Sequence, residues 1–189
     1  MSYIELHACS AFSFLRGASF PEQLAERAAE LEMPALALLD RNGVYGAQRF
    51  SVAAREQNVR PIVGCELSLE DGHILPVLVE DRTGYKNLCE LLTQAHLRSE
   101  KGSCAMQWSE LWEFAEGLIV FLGSARDSRA PQNFAEHTQL LIDTFGAQNV
   151  FVEIQRHFIR GEERINQQLI DLANQYHLPV LATNGMQYA

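Results

Sequence analysis

Cysteine is scarce: 4 in 189 residues. Cys9, Cys65, Cys89 and Cys104 lie far apart, and no two form a C-x-x-C pair. That spacing is neither a zinc ribbon nor a disulfide framework, and it suits a reducing cytoplasm. Positive charge is also short. Lys and Arg total 15 against 24 Asp and Glu, a net charge of −9. This argues against a surface built to neutralise phosphates and leaves room for a local basic pocket. No apolar run approaches the ~20 residues of a membrane span. The start, Met1-Ser2-Tyr3-Ile4-Glu5, has no basic n-region and no long apolar h-region, so no signal peptide is expected. Neither G-x-G-x-x-G nor G-x-x-x-x-G-K-[ST] occurs, which counts against the nucleotide-binding α/β folds. Linkers, repeats and low-complexity segments are missing too. What is present is ordinary globular composition, 47% hydrophobic and 21% charged, in a chain long enough for one domain with a real core.

Short apolar runs alternate with helical patterns along the whole chain. The pattern predicts strands at 3–7, 35–39, 60–66, 73–79, 118–122, 150–154 and 179–182. Pro76 weakens the fourth of these. Helices are expected from Pro21 to the stop at Pro34, at 44–57, 85–97, 110–115, 134–145 and 162–176. Ser19, Thr83 and Ser109 are the natural N-cap candidates for the first, third and fourth helices. Asp40 to Gly43, Arg98 to Gln107 and Gly123 to Asn133 read as loops. Ala35-Leu36-Ala37-Leu38-Leu39 is apolar without alternation, as in a strand buried on both faces of a parallel sheet. Seven strands alternating with helices predict an α/β fold with a parallel sheet and right-handed crossovers. An open sheet and a closed barrel remain alternatives at this level. No helix follows the last strand, so a fragment boundary is expected at Ala189.

Parallel α/β folds place their chemistry at the carboxyl ends of strands. Those ends carry His7 and Cys9, Asp40 and Arg41, Glu66, Glu80 and Asp81, Ser124, Gln155 and His157, and Asn184. Imidazole, thiolate and carboxylate are the groups that bind zinc, iron or manganese. The plainer readings stand beside this. His7 is a hydrogen-bonded histidine, Cys9 and Cys65 are small buried hydrophobes, Asp40 caps the following helix, and His157 is structural.

The stretch Glu5-Leu6-His7-x-x-Ser10-x-Phe12-Ser13-Phe14-Leu15-x-Gly17-Ala18-Ser19 resembles the opening of the PHP (polymerase and histidinol phosphatase) domain. The resemblance is strongest to the PHP domain of bacterial C-family DNA polymerases, in particular the error-prone DnaE-like branch. Ala35 to Asp40, Arg60 to Glu66, Gly84-Tyr85-x-Asn87-Leu88-Cys89-x-Leu91-Leu92, Glu116 to Ile119, Phe151 to Phe158 and Ala182-Thr183-Asn184 match in order. The resemblance covers essentially all 189 residues. It implies one PHP domain over 1–189, a distorted seven-stranded (β/α) TIM-like barrel, and a polymerase body following in cis. Cytoplasmic location, DNA contact only through the full-length polymerase, and docking of accessory replication or mutagenesis proteins are implied with it.

The same resemblance implies a rim that holds metal ions in other members, and this sequence departs from it. His7 and Glu66 match. Cys9 stands where a second histidine is usual, Arg16 where an acid is usual, and Arg41 where a histidine follows the aspartate. Gly185 and Gln187 replace the two ligands after the last strand, and a softer ligand position falls near Ser124. Arginine does not deprotonate to coordinate a metal, and it repels cations. The expectation is therefore a former metal site ringed by His7, Cys9, Arg16, Asp40, Arg41, Glu66, His157, Gly185 and Gln187, with no cofactor and no proofreading exonuclease. Arg16 or Arg41 is expected to pair with Glu66 beside His7. Two alternatives remain open. One is a phosphoesterase using zinc or manganese on His7, Cys9, Asp40 and Glu66. The other is a stand-alone anion- or nucleotide-binding module using Arg16 and Arg41 as a phosphate fork.

Overall fold

The computed structural model describes residues 3–100, 102–123 and 134–189. The expected Gly123 to Asn133 loop and Ser124 therefore fall almost wholly outside the described residues. Seven strands pair in chain order: β1 (Glu5–Ala8), β2 (Ala35–Arg41), β3 (Arg60–Ser68), β4 (Ile74–Val79), β5 (Leu118–Leu122), β6 (Val150–Ile154) and β7 (Val180–Ala182). Among the described residues five α-helices accompany them: α1 (Pro21–Glu30), α2 (Ala47–Glu56), α3 (Arg82–Arg98), α4 (Phe134–Phe145) and α5 (Glu162–Tyr176). A 3₁₀ helix at Trp108–Phe114 precedes β5. Among the described residues no helix is long and apolar enough to cross a membrane.

The sheet is mixed, which corrects the all-parallel expectation. β1, β2 and β3 pair in parallel, as do β5, β6 and β7, but β4 runs antiparallel to β5. The cause is the length of the link before β4. A parallel crossover needs about a dozen residues or more, and here a tight turn returns the chain, with Leu69 N–H bonded to His73 O at 2.7 Å. Gly72 takes φ 87° in that turn. Pro76 lies outside the ladder to β5, which covers Val77 to Val79.

The chain forms two compact units. The first runs to Glu66 and includes Asn184–Ala189. Its core is Ala8, Leu24, Ala25, Ala28, Leu36, Leu38, Phe50, Ala54 and Val59, so α1 and α2 close over β1 and β2. Small alanines on both helices let the backbones approach. The returning segment lies beside β1, where Ala8 bridges Met186 and Cys9 N–H bonds Met186 O at 2.9 Å. The second unit is Leu67–Thr183. There α3 packs on β4 and β5, α4 on β5 and β6, and α5 on β6.

The helix starts differ from the residues expected to cap them. Phe20 is the N-cap of α1, and Gln23 Oε1 accepts its N–H at 2.8 Å. Ser19 Oγ instead accepts from Ala189 N–H. Asp81, two residues before Thr83, caps α3 by accepting from Gly84 N–H at 2.9 Å. At the 3₁₀ helix, Gln107 takes the cap position rather than Ser109, and Glu110 Oε2 accepts its N–H. In each case the chain enters the helix one to two residues earlier or later than the best hydroxyl, and a longer polar side chain nearby satisfies the free amides.

Candidate functional site: a carboxylate between histidine and arginine

β1, β2 and β3 deliver their last residues side by side. Register pairs Asp40 with Cys65 and Arg41 with Glu66. His7 lies on β1, and its ring reaches across to Glu66, with Nε2 to Oε1 at 2.9 Å. Arg41 Nε donates to the other carboxylate oxygen at 2.8 Å. Arg16, from the loop after β1, brings its Nε to 4.0 Å from that same oxygen. The Arg41 side chain is 19% exposed and that of Arg16 is 37% exposed, so of the two arginines only Arg41 is mostly buried. Glu66 is itself buried.

Burial pushes the Glu66 carboxyl up. The His7 hydrogen bond and charge, then Arg41 and Arg16, outweigh it and bring the group down to about 2. Cys65, fully buried beside it in sequence, is pushed well up by burial and stays a neutral thiol. Arg41 Nη2 is buried and has no hydrogen-bond partner among the described residues.

Asp40 faces a different set. Its Oδ1 accepts from Ser10 N–H at 2.9 Å and from Ser13 Oγ at 2.8 Å, and the Ser10 hydroxyl sits 2.9 and 3.0 Å from its two oxygens. Ser13 Oγ in turn accepts from Arg41 N–H at 3.1 Å. Asp40 therefore pins the loop after β1 to β2; it does not cap α2, whose N-cap is Gly46. A Cβ on Gly46 would lie 2.7 Å from Asp40 Oδ2, so glycine is needed there. Gly17 is similar: a Cβ would meet Ser10 O at 2.0 Å. The loop folds tightly on itself, and Ala18 N–H reaches Gln187 O at 2.7 Å.

The remaining expected residues divide. Cys9 is buried and its amide is tied to Met186. Gly185 is buried with φ 57°, and Gln187 contributes its main-chain carbonyl. His157 belongs to the second unit, where its amide and Nδ1 bond the Glu162 carboxylate at 2.7 and 3.1 Å. Among the described residues, no three of His7, Cys9, Asp40 and Glu66 bring donor atoms within 4.8 Å of one another. Glu5 is a buried carboxylate that the sequence reading passed over. It accepts from His7 N–H, Tyr3 OH and Asn184 N–H at 2.8 to 2.9 Å. Its signal is the period of two, which puts Glu5 and His7 on one face of β1.

The family model described as the PHP domain matches residues 5–157. The error-prone DNA polymerase of Mycolicibacterium paratuberculosis is 39% identical over 206 residues, covering 99% of this chain and 19% of that protein. That of Cutibacterium acnes is 36% identical over 208 residues, covering 99% of this chain and 18% of that protein. The chain thus spans less than a fifth of the length of these curated relatives. Among solved structures, a putative metal-dependent phosphoesterase from Bifidobacterium adolescentis superposes with TM-score 0.73 at 13% identity, covering 98% of this chain and 88% of that one. An amidohydrolase from Chromobacterium violaceum superposes with TM-score 0.70 at 15% identity, covering 98% and 87%. At such identities the likeness is one of fold.

Proposed function

The chain belongs to the PHP domain family, and from that membership we propose that it serves as the single PHP domain of an error-prone type of DNA polymerase in the cytoplasm. On this reading its sheet is the family's distorted (β/α) barrel, and its work is structural: it braces a polymerase body and offers accessory proteins a place to dock. Nucleotidyl transfer and DNA contact then reside in the larger protein.

The observation that carries the reading is the clamp on Glu66. Its two oxygens are taken by His7 and Arg41, with Arg16 close by. A divalent ion at this carboxylate would meet one guanidinium in contact and a second within 4.0 Å. Asp40 is engaged by two serines, and Gly185 and Gln187 offer no ligand side chain of the usual kind. These residues do not fit a metal pair, so hydrolysis by a metal-activated water has nothing to hold the ion. The test is a primer-degradation assay on single-stranded and mismatched 3′ ends, with manganese or zinc supplied. No degradation above background is expected. Degradation that His7→Ala abolishes would overturn the reading.

The buried Arg41 Nη2 favours a second reading, in which this rim takes a phosphate-class anion. Inorganic phosphate would then raise the melting temperature of the wild-type chain and leave that of Arg41→Gln unchanged.

A further inference from the structure

A separate set of groups gathers in the second unit, using none of the rim residues. Asp71 and His73 lie on the turn that leads into β4, and His137 lies in the first turn of α4. Each offers one donor atom, and the three atoms lie within 4.8 Å of one another. Asp71 Oδ2 is 3.1 Å from His73 Nδ1 and 3.6 Å from His137 Nε2. Ligands of a tetrahedral zinc ion at ~2.1 Å stand about 3.4 Å apart, between those two distances.

The surroundings are those of a held ligand set. His137 is only 7% exposed, and its Nδ1 is buried with no hydrogen-bond partner among the described residues. Its other ring nitrogen, Nε2, is the one turned toward Asp71. Trp108 stacks on the His137 ring at 4.6 Å, with an interplanar angle of 18°, and its Nε1 donates to Asp71 Oδ2 at 2.9 Å. His73 N–H donates to Asp71 Oδ1 at 3.0 Å. The carboxylate and one imidazole are thus oriented by neighbours, as outer groups orient metal ligands. A cavity of about 20 Å³ lies against His73, Trp108 and His137, among Leu69, Phe121 and Leu141. That is room for one water-sized occupant.

We propose that Asp71, His73 and His137, with Trp108 bracing the carboxylate, form a zinc-binding site. Two imidazoles and one carboxylate suit zinc, and water completes the fourth position. The ion would join the β3–β4 turn to α4, two segments that are distant in sequence.

The test is calorimetric titration of the metal-stripped chain with zinc chloride. One equivalent is expected to bind. His73→Asn and His137→Gln should each weaken binding at least tenfold, and Trp108→Phe should weaken it by a smaller factor. His96→Asn, on the exposed face of α3, should leave it unchanged. Circular dichroism checks each variant. If His137→Gln does not fold, His73→Asn decides, because His73 is only half-buried. No zinc uptake by the wild-type chain, uptake that survives His73→Asn, or equal loss in His96→Asn would overturn the proposal.

Discussion

Glu66 stays ionised in a place where burial alone would neutralise it. A buried carboxylate without a partner costs several kcal/mol, and removing one partner of such a pair costs about 3–5 kcal/mol. Arg41→Ala should therefore destabilise the chain by about 3–5 kcal/mol in denaturant unfolding. Arg16→Ala should cost under ~1 kcal/mol, since its side chain is more than a third exposed and 4.0 Å away. The double variant Arg41→Ala with Glu66→Ala should recover much of the first loss, as coupled neighbours do. Strictly additive losses would contradict the pairing. Acid gives a second check. The folded carboxyl titrates near 2, and the unfolded one near ~4.3. Between those values the unfolded chain binds the extra proton, so stability falls as pH falls. The contribution is whole above the unfolded value and is lost on the way down to the folded one. From about pH 5 to pH 2 the wild type should lose about 3 kcal/mol more than Glu66→Gln. Equal losses would mean that Glu66 is not held ionised. Sequence alone named His7, Arg41 and Glu66, because strand ends in register share a rim. It could not choose between Arg16 and Arg41, since that depends on how tightly the loop after β1 folds around Ser10, Ser13 and Gly17.

At the scale of elements, periodicity located the seven strands and five α-helices of the described residues, while helix ends and strand direction eluded it. The apolar pattern reports which face is buried and says little about the residue at which a chain bends. Asp81 shows why. It was read as part of a strand end, yet it caps α3 through Gly84 N–H. Gly84 must be small there, because a Cβ would meet Gly117 O at 1.9 Å. Asp81→Ala should cost about 1 kcal/mol of stability, and thermal unfolding reads it. Thr83→Ala should change little; the reverse ranking would restore the hydroxyl as the cap. The direction of β4 was hidden for a similar reason. Five apolar residues look alike run either way, and only the short Asp71-Gly72 turn carried the information. That turn also holds Asp71 and His73, whose third neighbour, His137, comes from a helix after β5. No local pattern links those three; the sheet order does.

At the scale of the whole molecule, a net charge of −9 and a pI near 5.1 argue against a broad basic surface of the kind that neutralises phosphates. The proposal that DNA contact resides in a larger protein rests in part on that charge. It also places weight on the rim where Arg16 and Arg41 flank Glu66. The central claim is that arginine and histidine, rather than a metal, satisfy Glu66. Manganese titration followed by electron paramagnetic resonance tests it, in the His73→Asn background so that the second cluster is silent. The account predicts that millimolar manganese gives no stoichiometric bound signal, and that adding Glu66→Gln changes nothing. A bound ion that appears with one equivalent of metal and vanishes with Glu66→Gln would contradict it.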